Sequence, residues 1–127
     1  MLTGPDDANL WDRIALGLAG LMALHCLLAP LLSDRVPSMT GEGAHQLLAL
    51  IASVVSVIAV FRGWMVHQQA RVFGWAIGGW AVLFIARVGG EEQLGEAGEI
   101  LLTLIAVTCL VVTHQLNRSL AYWHTRE

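Results

Sequence analysis

Four apolar runs dominate the chain, at about residues 14–32, 46–66, 72–88 and 97–116, and each is long enough to cross a hydrocarbon layer about 30 Å thick. Four such runs in 127 residues leave almost nothing from which to build a water-soluble core. The chain is 56% hydrophobic and only 13% charged, with a mean hydropathy of +0.63, whereas soluble domains carry about 25% charged residues. The expected fold is therefore an all-α membrane protein, a bundle of four transmembrane helices forming one domain over residues 1–127 in a lipid bilayer.

The connections follow from their residues. SDRVPSMTGEGAH, between the first two runs, carries Pro37, Gly41 and Gly43 and reads as a loop. His67 to Arg71 is a tight polar turn, which makes the second and third helices antiparallel neighbours. GGEEQLGEAGE reads as a glycine-rich acidic loop joining the third and fourth, and Pro30 predicts a kink or an early stop in the first. Gly74 and Gly78, with Gly79 beside them, form a small-xxx-small step suited to close helix approach. Trp64, Trp75, Trp80 and Trp123 fall mostly near run ends, where interfacial anchors belong, and Trp11 starts the first helix.

All seven basic residues are arginines, and they are scattered, so no basic patch argues for nucleic acid. With four spans, Arg13, Arg62, Arg71, Arg118 and Arg126 share one side of the membrane. Arg35 and Arg87 lie on the other, together with Asp34, Glu42, Glu91, Glu92, Glu96 and Glu99. The positive-inside rule then places both termini in the cytoplasm and the acidic connection outside, where it can gather cations. The N-terminus is acidic and lacks the basic region of a signal peptide, so the first run is expected to be a retained helix. Cys26 and Cys109 both fall inside apolar runs, a pattern unlike a secreted disulfide scaffold.

Histidines inside such runs need a physical reason, because a polar group in hydrocarbon must find a partner or lose several kcal/mol. His25 and Cys26 stand side by side within the first run, and His45 lies at the same depth. Imidazole nitrogen and thiolate suit zinc, copper and mercuric ions, and carboxylates such as Glu96 or Glu99 can complete a coordination sphere. Asp12, His67 and His114, with Asn117, form a second group at the opposite ends of the helices.

Helical phase constrains both groups. Asp12 and Cys26 share a face about 21 Å apart, His114 and Asn117 share a face, and Cys109 is turned away from His114 as a packing thiol. His25 points about 100° from Cys26 and is expected to reach a different neighbour. His124 reads as surface.

The leading expectation is a carrier for a soft or borderline divalent cation, zinc or mercuric ion. His25, Cys26, His45 and a glutamate, Glu96 or Glu99, would bind the ion, and Asp12, His67 and His114 would release it. Loading would weaken as pH falls through the histidine range. One alternative is a haem cytochrome with His25–His45 and His67–His114 as axial pairs. Another is an accessory membrane subunit whose polar residues only tie helices together. No nucleophile–base–orienter set or phosphate loop marks an enzyme.

Asp12-Arg13-Ile14, the Leu24-His25-Cys26-Leu27-Leu28-Ala29-Pro30 segment, His45, His67, Glu96, Glu99 and His114-Gln-Leu-Asn117, taken in order, resemble the MerC-domain proteins over nearly the whole chain. The resemblance implies a small multi-pass protein of the bacterial inner membrane linked to uptake of mercuric ion. The best-known members bring a pair of cysteines in the first helix. Here Cys26 is the only thiol in that helix and His25 precedes it, a donor set better matched to a borderline ion such as zinc. Four short helices enclose little room for an alternating-access path, which leaves a place for a homo-oligomer.

Overall fold

The computed structural model describes residues 5–32, 34–37 and 41–124. Residues 1–4 and Arg126 lie outside the described residues, as do the side chains of Glu42 and Glu91. Helix α1 spans Pro5–Leu32 and α2 spans Glu42–His67. A further helical run, Ala70–His124, is broken at Gly90 and Gly95, giving α3 (Ala70–Gly90) and α4 (Glu92–His124). Each of the four is long and apolar enough to cross a membrane.

The buried positions recur every three or four residues, as in a bundle seam. They are Asp12, Ala15, Ala19, Met22 and Cys26 in α1, and Ala49, Ala52, Ser56, Ala59, Val60, Gly63 and His67 in α2. In α3 they are Val72, Ala76, Gly79, Leu83 and Ala86, and in α4 Thr103, Ala106, Val107, Leu110, Thr113, His114, Asn117 and Ala121. The large apolar side chains lie on the outside, among them Leu31 at 75% and Phe84 at 68% exposure. Small and polar residues inside with leucine, isoleucine and phenylalanine outside invert a soluble protein. Lipid explains the inversion: hydrocarbon solvates the outer side chains, so helices associate through close packing and internal hydrogen bonds.

Neighbouring helices run antiparallel. Cys26 faces His45 across α1–α2, Val60 packs with Val72 and Ala76 across α2–α3, and Arg87 meets Glu99 across α3–α4. The fourth helix returns to the first, where Arg118 Nε donates to Asn9 Oδ1 at 2.8 Å. The start of α1, the end of α4 and the α2–α3 turn therefore lie at one end of the bundle, the terminal end, and the end of α1, the start of α2 and the α3–α4 reversal at the opposite loop end.

The α2–α3 turn is as tight as its sequence predicts. Gln68 adopts the left-handed conformation (φ 52°, ψ 29°) and donates its N–H to Trp64 O at 2.9 Å. Helix α1 stops two residues after Pro30, and the N–H groups of Arg35 and Val36 return to Leu32 O at 2.9 Å.

Two expectations change. The acidic segment is not an open loop, because Glu, Gln, Leu and Ala are strong helix formers and keep it helical on either side of breaks at Gly90 and Gly95. The reversal is concentrated at Gly90 (φ 56°, ψ −178°) and Gly95 (φ 69°, ψ 161°), a region of backbone space open essentially to glycine alone. Gly90→Ala or Gly95→Ala is therefore expected to cost about 1–3 kcal/mol. Thermal unfolding in detergent micelles reads this directly, and an unshifted midpoint would contradict it. The second change concerns the glycine step. Gly74 and Gly78 face outward with no neighbour within 4 Å of a built Cβ, whereas at Gly79 that atom would lie 3.1 Å from Leu110. Close α3–α4 approach thus runs through Gly79, one position off the predicted stripe.

Candidate metal centre

Adjacent residues on a helix diverge by about 100°, so His25 and Cys26 would not ordinarily meet one partner. Here they do, because His45, in the first turn of α2, enters the angle between them. Cys26 Sγ lies 3.7 Å from His45 Nε2, and the His25 and His45 rings meet edge to face with centroids 5.5 Å apart. One ligand atom from each of the three residues falls within 4.8 Å of the others. The expectation that His25 reaches a different neighbour is therefore corrected. Cys26 is buried, while His25 and His45 are half-buried, so the set opens toward the loop end.

The carboxylates expected to join this set are placed differently from one another. Glu96 is exposed and lies outside the cluster. Glu99 is half-buried and accepts from Arg87 Nη1 at 2.6 Å. The Arg87 guanidinium is near enough to act electrostatically on both Cys26 and His45, and Glu99 on Cys26. This pairing is invisible to helical phase, because Arg87 and Glu99, 12 residues apart, meet only once the glycine breaks fold α4 back along α3.

At the terminal end, a hydrogen-bonded network joins three helices. His114 Nδ1 donates to Asp12 Oδ1 at 2.7 Å, and Asn117 Nδ2 donates to Asp12 Oδ2 at 2.8 Å and to Ala59 O at 3.0 Å. His67 Nδ1 accepts the Gln69 N–H at 3.0 Å, so His67 Nε2 carries the proton it donates to Asn117 Oδ1 at 2.7 Å. Ser56 Oγ closes the set 3.0 Å from His114 Nε2. Asp12, Ser56, His67, His114 and Asn117 are all buried. Asp12 and His114 thus touch directly, and His67 reaches them only through Asn117.

Ser56 is the member that sequence reasoning missed. Its signal was phase, since it falls on the same stripe as Ala49, Ala52, Ala59 and Gly63. Gly63 leaves room for the Asn117 amide, because a Cβ there would collide with that side chain. Gly63→Ala is accordingly expected to displace Asn117 and lower stability by about 1–3 kcal/mol through the polar groups left unpaired. Unfolding in detergent checks it, and a neutral result would mean that the amide can relocate.

Cys109 packs at Gly79 and stays apart from both polar groups, as a packing thiol should. His124 is exposed and hydrogen-bonds the Leu120 carbonyl. For haem the geometry is unfavourable. The His25 and His45 rings are in edge contact, with no gap for a macrocycle between them. Both nitrogens of His67 and of His114 already serve protein partners.

These features define a multi-pass membrane protein with a nitrogen and sulfur donor set at one end of a four-helix bundle and a buried carboxylate–imidazole network at the other. The family model described as MerC mercury resistance protein matches residues 12–119, and the chain belongs to that family. Searches of curated proteins and of solved structures return no match.

Proposed function

We propose that the protein carries a soft or borderline divalent cation, zinc or mercuric ion, across the bacterial inner membrane. His25, Cys26 and His45 form the receiving site and Asp12, His67 and His114 the releasing one. The convergence of the three receiving side chains within 4.8 Å is the observation that carries this reading. Charge supports the orientation, both termini cytoplasmic, since five of the seven arginines belong to the terminal side.

The donor geometry bears on the ion. Two ligands at tetrahedral angles on zinc, with bonds of about 2.1 Å to nitrogen and 2.3 Å to sulfur, lie about 3.6 Å apart. A linear arrangement with the same bonds would separate them by about 4.4 Å. The 3.7 Å between Cys26 Sγ and His45 Nε2 is the length of a thiol–imidazole hydrogen bond, and a tetrahedral ion could replace that contact with little movement of either side chain. Membership of a mercury resistance family supports mercuric ion as cargo as well.

The releasing group suits its role because each donor is already hydrogen-bonded. An ion there must displace those bonds and is held weakly. Glu99 can enter the receiving site by leaving Arg87, and exposed Glu96 lies on the approach from the loop end. The test is metal stoichiometry on purified protein, wild type against the His25→Ala, Cys26→Ala double variant, titrated with zinc ion and with mercuric ion. Unchanged stoichiometry in the variant would remove the receiving site from this reading.

A further inference from the structure

Arg87 Nη1 donates to Glu99 Oε1 at 2.6 Å, and each of the two side chains is 18% exposed. The pair stands beside the donor set. Cys26, Ala49 and Leu83 belong to one packed cluster, and one turn nearer the loop end His45 follows from Ala49 on α2 and Arg87 from Leu83 on α3. Gln46, Ala49, Leu83 and Arg87 line the same cleft between these helices. At this range the Arg87 guanidinium acts on Cys26 and on His45 through its field, and the Glu99 carboxylate acts on Cys26.

Ionisable side chains within membrane-spanning helices are expensive, and two leucines would fasten α3 to α4 without the cost of desolvating charge. Such charges become useful where a third one arrives. Sulfur binds metal as thiolate, so a zinc ion taken up at His25, Cys26 and His45 displaces the Cys26 proton and adds one net positive charge to the site. Arg87 opposes that added charge and Glu99 favours it. A silver ion, singly charged, replaces the same proton and adds no net charge.

We propose that Arg87 is a specificity-determining residue of the receiving site: a tethered cation that neutralises Glu99 and opposes the added charge of a divalent ion, so that such an ion is held loosely enough to be passed on. The role needs no contact between guanidinium and ion, because a charge acts through space. At an effective dielectric constant of about 20, one unit charge still changes affinity for another about tenfold at about 12 Å. The inference rests on the proposed receiving site.

The experiment titrates purified protein with zinc ion alone and with silver ion alone, at one pH and ionic strength, in wild type, Arg87→Gln, Arg87→Lys and Glu99→Gln. Arg87→Gln is expected to tighten zinc binding about tenfold and Glu99→Gln to weaken it about tenfold, opposite signs from the two halves of one ion pair. Arg87→Lys keeps the charge and should stay within about threefold of wild type, and silver should stay within about threefold in every variant. A pair that only fastens helices predicts lower melting midpoints in Arg87→Gln and Glu99→Gln with zinc affinity unchanged, and that result overturns the proposal. So do shifts of one sign in both variants, tightening in Arg87→Lys equal to that in Arg87→Gln, or silver moving in parallel with zinc. Should Arg87→Gln fail to fold, Glu99→Gln and Arg87→Lys decide by the same criteria. Absence of zinc binding in wild type would instead sink the receiving site itself, and this inference with it.

Discussion

The His25→Ala, Cys26→Ala double variant is expected to lose high-affinity metal binding outright, by at least about 1,000-fold, while folding as the wild type does. Four-ligand zinc sites bind with about 10–16 kcal/mol, which puts several kcal/mol on each ligand, and every 1.4 kcal/mol is a factor of ten. Removing two of the three donors leaves His45 alone, no better than a surface histidine. Folding should survive, because Cys26 is lost to another small apolar residue and His25 is half-buried rather than a member of the buried stripe. Calorimetric titration with zinc ion, beside a thermal melt, separates the two effects. An affinity within about threefold of wild type would show that the ion, if bound, is held elsewhere, since even one lost ligand exceeds that margin.

Asn117→Ala is the variant expected to damage the bundle most. Its amide makes three bonds at once, to Asp12, to the Ala59 carbonyl and to His67, and it fills the notch left by Gly63. Interhelical hydrogen bonds in membranes are worth about 0.6–1.7 kcal/mol each, so losing three costs about 2–5 kcal/mol. The change also leaves one oxygen of Asp12 without the Asn117 amide. Unfolding in mixed micelles should show the loss, and the apparent zinc affinity of the folded fraction should stay near the wild-type value, because the network is at the opposite end from His45. Full stability in Asn117→Ala would mean that the polar core is decorative.

The spans were legible because each is a long uncharged run, and a bilayer imposes a length that no soluble helix must obey. The pairing of Asp12 with His114 and Asn117 was half legible. Phase put His114 and Asn117 on one face, but their common partner needed the register of α1 against α4. The convergence of His25 with Cys26 was not legible, because helical phase alone sends them to different neighbours and only the entry angle of α2 lets His45 meet both. The acidic connection was misread because glycine content was weighed above the helix propensity of the residues around it. The outward turn of Gly74 and Gly78 was hidden for another reason: a repeat of small residues marks a stripe, and lipid can cover a stripe as readily as a helix can.

The alanine- and glycine-lined interior has a kinetic consequence. The helices are drawn together by side chains this small, so the buried seam is close-packed backbone with few side-chain atoms between. Under the proposed transport role, passage through such a bundle would be a relay from the receiving to the releasing donors, and the throughput of one molecule would be set by its slowest hand-off. On that reading, more flux would come from more copies of the chain, not from a wider path through one.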